Sequence, residues 1–303
     1  MREGFFIGYY INYKIIAMKL KFLFAVVALA TSLTMSALAG KKNDPMTAMS
    51  FNIRYDNPSD APNHWDNRKE WVAGMIHYYQ PDVVGLQEVL VNQLNDLKAL
   101  LPDYGVIGCG RDDGKEQGEY SAILYHKSKL ALLDEKTLWL SQTPEKPGSM
   151  GWDAVCNRVL TKGVFKVKNS GKQLVLFNTH FDHVGQEARR ESALMEKREV
   201  AKYADKFPVM VMGDFNADPA SNVYRLLVED SPLMDAMGLA SYQYGPQWTF
   251  HGFGSVPVAE RPRIDYVFVT SRITVLKHLH LSDQRGDRFP SDHLPVIVEF
   301  GMK

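Results

Sequence analysis

Four carboxylates stand at the ends of apolar runs in this chain. Glu88 follows Val83–Leu86, Asp214 follows Val209–Met212, Asp265 lies within Ile264–Val269, and Asp292 precedes Val296–Phe300. Amides and histidines accompany them: Asn52 in Ser50-Phe51-Asn52-Ile53-Arg54, Gln87 beside Glu88, Asn178-Thr179-His180-Phe181-Asp182-His183 after Leu174–Phe177, Asn216 in Gly213-Asp214-Phe215-Asn216, and His293 beside Asp292. Carboxylates brought together repel unless they are protonated or share a cation. Oxygen ligands with no cysteine and few histidines suit Mg²⁺, or Mn²⁺, better than zinc. Mg²⁺ held by one or two carboxylates takes substrate phosphate oxygens as further ligands. The chemistry indicated is metal-assisted phosphoester hydrolysis. Singly, each residue has a plainer reading as a turn former, a cap or a surface group. The recurrence at one strand end after another does not.

Such a set needs strands that end on one rim, where loops converge on a ligand. Apolar runs and alternation predict strands at Ala48–Tyr55, Asp82–Leu86, Val106–Cys109, Tyr120–His126, Leu130–Leu140, Val159–Val167, Gln173–Asn178, Val209–Met212, Ile264–Val269, Ile273–His280 and Val296–Phe300. Helices are predicted at Trp65–Tyr79, with Trp71, Met75 and Tyr78 on one side, at Val91–Leu101, and at Glu187–Asp205. Strands joined without a helix imply antiparallel pairing, so the expected class is an α/β sandwich rather than an all-parallel sheet. No GxGxxG or Walker-type loop follows a strand, which removes the best support for dinucleotide and P-loop readings.

The 303 residues are 45% hydrophobic and 23% charged, proportions that exclude a disordered or collagen-like chain. No repeat or linker divides residues 40–303, which read as a single catalytic domain, expected to be a monomer. Basic and acidic residues number 35 each, so no stable grip on duplex DNA is expected.

Residues 1–39 read differently. Lys19 and Lys21 precede the apolar run Phe22–Ala30, and Ala37-Leu38-Ala39 is a small-x-small cleavage site. The segment is read as a signal peptide starting at Met18, with residues 1–17 upstream of the true start, export to the periplasm or medium, and no membrane span in the mature chain. Cleavage after Ala39 would remove four basic residues and one acidic, leaving 31 and 34. Cys109 and Cys156 are the two cysteines, to be paired or left as thiols.

The motifs Ser-Phe-Asn-Ile-Arg, Gln-Glu, Asn-Thr-His, Gly-Asp-Phe-Asn, Ile-Asp-Tyr and Ser-Asp-His follow one another in the order of a known family. Over residues 45–301 the chain resembles the endonuclease/exonuclease/phosphatase superfamily, with the look of its nocturnin-like, deadenylase-type branch. The resemblance implies a four-layer sandwich of two packed mixed β-sheets flanked by helices, the deoxyribonuclease-I-like fold. It implies a Mg²⁺ (or Mn²⁺) site at Glu88 with Asn52 beside it and Asp292 as a further carboxylate. Asp214 matches the residue that orients or deprotonates the attacking water, and Asn216 its phosphate-binding neighbour. His293 matches a contact to the scissile phosphate, with Asp265 orienting it. His180 matches the group that helps protonate the leaving oxygen, with Glu119 as its partner, and Arg158 and Asn178 match phosphate contacts.

The substrate class is left open between a short nucleic acid, a phosphorylated small molecule and a lipid headgroup. The expected activity is a phosphodiesterase or nuclease. The alternatives are a phosphomonoesterase or lipid/inositol-phosphate hydrolase of the same fold, and a catalytically silent phospholigand-binding protein. Trp152, Tyr244, Trp248, Phe250 and Phe253 lie in irregular segments, where they stack on a substrate ring or pack beneath loops. Of these, Trp248 is the candidate substrate contact, with His251-Gly252-Phe253-Gly254 as a specificity loop.

Overall fold

Side chains alternate between the two faces of a strand, and here that alternation feeds three separate cores. The computed structural model describes residues 45–303; the signal-peptide reading of residues 1–39 lies outside them. The strands are β1 (Met46–Asn52), β2 (Val83–Val89), β3 (Tyr104–Ile107), β4 (Tyr120–His126), β5 (Leu130–Trp139), β6 (Val159–Val167), β7 (Gln173–His180), β8 (Val209–Asp214), β9 (Met234–Asp235), β10 (Tyr242–Tyr244), β11 (Asp265–Val269), β12 (Ile273–His280) and β13 (Val296–Met302). They form two mixed sheets, ordered β10-β12-β13-β1-β2-β4-β3 and β5-β6-β7-β8-β11-β9.

Val83, Leu174, Leu176, Met210 and Met212 point into the core between the sheets with Phe165 and Phe300. Their neighbours point the other way. Val84 and Leu86 meet Ile76 and Leu97 from the helices Lys69–Tyr79 and Val91–Leu100. Val175, Phe177, Val209 and Val211 meet Met195 and Leu227 from Gln186–Ala204 and Asn222–Val228. Helix, sheet, sheet, helix is the four-layer α/β sandwich that the family resemblance implies.

Some elements differ from expectation. The stretch Trp65–Tyr79 is a 3₁₀ turn, Trp65–Asn67, followed by the helix Lys69–Tyr79. Arg68 stands at the junction, buried, and donates to the carbonyls of Ile53, Arg54, Asn63 and Pro290. The face that the helix buries is Val72, Met75 and Ile76, an i, i+3, i+4 set, whereas Tyr78 is 80% exposed. Asn222–Val228 was not anticipated, although its N-cap is visible in the sequence: Ser221 Oγ accepts from the Tyr224 amide. Cys109 and Cys156 are unpaired and half-buried. No helix among the described residues is long and apolar enough to cross a membrane.

One buried group serves none of these layers. Glu196, in Gln186–Ala204, is fully buried and neither carboxylate oxygen has a partner. Burial holds its carboxyl well above the usual glutamate range. A raised acid keeps its proton in the folded state, so its contribution is complete below the unfolded value and is lost as pH rises through the folded one. Glu196→Gln is therefore expected to raise Tm by a few degrees, with a larger gain at pH 8 than at pH 5. Melting curves at the two pH values check it, and equal shifts would refute the charge-burial account.

Candidate active site

The polar strand ends meet where the two sheets converge. On β8, Asp214 pairs in register with His180 of β7 on one side and Asp265 of β11 on the other. Gly213, one residue earlier, allows the close β7–β8 approach, since a Cβ there would lie 2.4 Å from the Thr179 carbonyl oxygen. From the other sheet, Asn52 at the end of β1 donates from Nδ2 to Asp214 Oδ2 and to Glu88 Oε1, both at 3.0 Å. Glu88 sits where the β2–β4 register slips between Leu86 and Val89, at φ 61°. This bulge re-aims its carboxylate toward the other sheet, and the Tyr55 amide donates to it at 3.1 Å.

His293 reaches the same point from the loop before β13. Its Nδ1 lies 2.9 Å from Asp265 Oδ2 and its Nε2 lies 3.7 Å from Asp214 Oδ2. Thr249 Oγ1 holds the start of β11 by accepting from the Ile264 and Asp265 amides. Burial alone would lower the His293 imidazole, but Asp265 and Asp214 carry it well above its ordinary value. Burial, then the neighbouring Asp265 charge, push Asp214 up to about 7.

His180 has the opposite fate. Burial, then Arg158 and Arg111, hold it well below the histidine range, so it is neutral at physiological pH. Asn216 Nδ2 lies 3.1 Å from His180 Nε2 and also donates to the Phe181 carbonyl. An amide nitrogen only donates, so Nε2 is the acceptor and the ring proton is on Nδ1. That Nδ1 is buried without a partner.

A narrow crevice, too tight to admit a water molecule, lies beside it, lined by Glu88, Arg111, Glu119, Tyr120, Ser121, Arg158, Val159 and His180. Glu119 pairs with Arg111 at 2.8 Å rather than with His180, a correction to the expected pairing. The longer Arg111 side chain, from the loop ahead of β4, reaches it first. Arg158 is held by His183, with Nη2 3.0 Å from His183 Nδ1, and by Asp182, with Nε 3.6 Å from Oδ2. Arg158 Nε and Nη1 and Arg111 Nε are buried without hydrogen-bond acceptors.

Asn178 is elsewhere. It donates to the Leu86 and Ala122 carbonyls at 2.8 Å and accepts from Gln87, fully buried between the sheets in room that Gly85 leaves. With both donors and its oxygen engaged it ties the sheets together, so the phosphate-contact expectation does not fit its position. Trp248 does not line the crevice; Arg261 lies 4.4 Å above its ring and His251 packs edge-on at 5.7 Å. Of the other aromatics, Phe250 packs 4.9 Å from the His293 ring.

Glu88 Oε2 and Asp292 Oδ2 both face the Arg54 guanidinium, at 3.9 and 4.0 Å, beyond hydrogen-bond reach. Burial raises the Asp292 carboxyl; His293 opposes the rise and Glu88 adds to it. Two converging carboxylates with uncommitted lone pairs and no thiol fit a hard divalent cation. Asp214, Asp265 and His293 also lie within 4.8 Å of one another, but there His293 already faces Asp265 with Nδ1 and Asp214 with Nε2. The motif Ser-Phe-Asn-Ile-Arg contains Arg54 as its last residue, the signal by which it could have been singled out. Arg68 and Arg111 carry no such local signal, since their partners are set by the fold.

Residues 49–293 match the Endonuclease/Exonuclease/phosphatase family. The chain belongs to the endonuclease/exonuclease/phosphatase family. Among solved structures of this family, a Bacteroides vulgatus endonuclease/exonuclease/phosphatase is 42% identical with TM-score 0.83, covering 86% of this chain and 99% of that one. A mannosyl-6-phosphatase from Bacteroides thetaiotaomicron is 38% identical with TM-score 0.79, covering 85% and 100%. The CCR4-Not complex 3'-5'-exoribonuclease subunit Ccr4 of Mycosarcoma maydis is 26% identical over 340 residues, covering 86% of this chain and 51% of its own. The chain thus spans about half the length of that curated relative. Its relatives in the family are phosphoester hydrolases.

Proposed function

We propose that this chain is a divalent-metal-dependent hydrolase of small phosphomonoesters, with a sugar phosphate as the class it suits best. The crevice beside His180 carries the reading. It is too narrow in this structure to admit a water molecule, so the reading rests on its charge and its donors and requires the side chains to part around a ligand. Its unpartnered buried donors, His180 Nδ1, Arg158 Nη1 and Arg111 Nε, need acceptors, because an unsatisfied buried donor costs about 1–3 kcal/mol. A terminal phosphoryl group brings three oxygens and two charges to them. A diester brings fewer oxygens, one charge and a second substituent. The likeness to a mannosyl-6-phosphatase at 38% identity over that whole protein supports the same class.

Glu88 and Asp292, with Asn52 beside them, are the residues that would hold the ion. A hard divalent cation there would draw charge from the phosphoryl and leaving oxygens. Asp214, with its carboxyl near 7, is suited to take the proton of an attacking water at neutral pH. His293, kept protonated by Asp265 and Asp214, donates from Nε2 to a nonbridging oxygen. His180, neutral, acts as a hydrogen-bond donor from Nδ1. The leader-like residues 18–39 support a periplasmic or secreted enzyme.

The test is phosphorus NMR on the purified protein with a hexose 6-phosphate, an inositol phosphate, sphingomyelin, a short RNA and a short DNA, with Mg²⁺ and with EDTA. Mg²⁺-dependent hydrolysis of the hexose phosphate, faster than any diester by at least tenfold, is expected. Faster RNA cleavage would move the enzyme to the diesterase reading that the Ccr4 likeness favours. No turnover on any substrate would support a binding protein. Arg158→Met is expected to raise KM about 10- to 100-fold with less effect on kcat, since hydrogen bonds to a charged group contribute roughly 1.5–3 kcal/mol. An unchanged KM would remove Arg158 from the phosphate site.

A further inference from the structure

Residues 249–252 lie between the two segments that carry Asp265 and His293. Thr249 is fully buried. Its Oγ1 accepts from the Ile264 and Asp265 amides, both at 3.0 Å, and its carbonyl accepts from the Leu294 amide at 2.7 Å. The Thr249 and Phe250 amides donate to the Pro262 carbonyl at 3.0 and 3.1 Å, and the His251 and Gly252 amides to the Asp292 carbonyl at the same distances. Phe250 also bridges His293 in antiparallel fashion, with the two rings 4.9 Å apart. The segment is therefore bonded on one side to the start of β11 and on the other to both neighbours of His293.

The sheet leaves the start of β11 half-supported. β8 holds one edge of Asp265, but β9 pairs with Phe268 and Val269 and stops short of it on the other. Buried amides need an acceptor, and a threonine hydroxyl oxygen has two lone pairs to offer. Hydroxyl and carbonyl of one residue thus hold both halves of a pair: Asp265 by its own amide, and His293 by the amide of the next residue, Leu294. Between them lies the 2.9 Å contact of His293 Nδ1 with Asp265 Oδ2. Asp265 Oδ1 is buried without a partner. Among the described residues His293 is then the one group bonded to this carboxylate, whose position follows the backbone that Thr249 holds.

We propose that Thr249 is a positioning residue for the hydrolysis, its hydroxyl setting the Asp265–His293 contact and so the direction in which His293 Nε2 is presented. It touches no reacting atom itself. Reacting groups need placing to within about 0.5 Å, and a misplacement on the order of 1 Å costs as much as about 10²-fold in rate. The effect on turnover rests on the reading of His293 as a phosphate donor; the contact that Thr249 sets does not.

Thr249→Val keeps the shape and removes the acceptor, whereas Thr249→Ser keeps the acceptor. Proton NMR with isotope-labelled histidine reads the contact as a low-field Nδ1–H resonance, assigned to His293 by its absence from His293→Gln. Kinetics on a hexose 6-phosphate in excess Mg²⁺, well below the melting temperature, accompany it. The parent and Thr249→Ser are expected to share the resonance and kcat. In Thr249→Val the resonance is expected to move upfield or vanish, and kcat to fall about 10- to 100-fold with little change in KM. A threonine needed for folding alone would lower Tm in Thr249→Val yet leave the resonance and kcat of the folded protein at parent values, and that result overturns the proposal. An equal loss in Thr249→Ser overturns it too, since the hydroxyl is still there. If Thr249→Val does not fold, Thr249→Cys, whose sulfur is a weak acceptor, takes its place with the same readings. Because the resonance is read without turnover, a protein in which it behaves as expected but no phosphoester is hydrolysed defeats the catalytic reading of His293 alone.

Discussion

Asp214→Asn is expected to lower kcat by about 10²–10⁴, the usual contribution of a positioned general base, while Tm stays within a few degrees of the parent. In Gly213-Asp214-Phe215-Asn216 it is the one side chain that can accept a proton. Its carboxylate is buried between Asp265 and His180 and accepts from Asn52 Nδ2 at Oδ2 and from the Asn216 amide at Oδ1. An amide side chain keeps one of these two bonds, and the relief of a buried charge offsets the loss of the other. The stability sign favours the variant at high pH. The folded-state carboxyl sits near 7 against an ordinary 3.8, so its contribution is complete below the ordinary value and is lost as pH rises through about 7. Removing the charge relieves that loss. Steady-state kinetics with matched melting curves test both halves, and a variant that keeps the parent rate would strip Asp214 of its role.

Withdrawal of divalent ions is expected to have a comparable effect. EDTA should abolish turnover, Mg²⁺ should restore it, and Glu88→Gln should raise the Mg²⁺ concentration needed for half-maximal rate by at least tenfold. The physical basis is the convergence of Glu88 and Asp292 on Arg54 at 3.9 and 4.0 Å, too far for hydrogen bonds and with oxygen lone pairs uncommitted. One carboxylate fewer removes a negative charge and a ligand from a hard-cation site. Turnover that persists in EDTA, or a Glu88→Gln variant with unaltered Mg²⁺ dependence, would remove the ion from these two acids.

The site expectations that the structure revises share a cause. The resemblance implies Glu119 as the partner of His180 and Asn178 as a phosphate contact from motif position, which carries no information on the side chains that reach them. The actual partners come from other segments: Arg111 for Glu119, and Gln87, Leu86 and Ala122 for Asn178. Arg68 is the extreme case, since it bonds the carbonyl of Pro290, 222 positions away, and so fixes the loop that carries Asp292 and His293. The face of Lys69–Tyr79 was misassigned for a related reason. Trp71 and Tyr78 are large and apolar, but their rings also tolerate water, and the smaller Val72 and Ile76 fill the space against the sheet.

By itself the sequence determined the strands of both sheets except the short edge strands β9 and β10, because period-two alternation and apolar runs are local properties that burial of one strand face enforces. It also determined which strand ends carry carboxylates, amides and histidines, and hence the family. Tertiary structure decided what each of those groups does. Whether His180 is charged depends on its burial and then on Arg158 and Arg111, whether Asp214 holds a proton near neutrality depends on its burial and then on Asp265 across the strand pair, and how Arg158 is held depends on His183 and Asp182. Those are through-space electrostatics and hydrogen bonds between segments far apart in the chain. They decay over a few ångströms, a distance that only the packing of the two sheets sets.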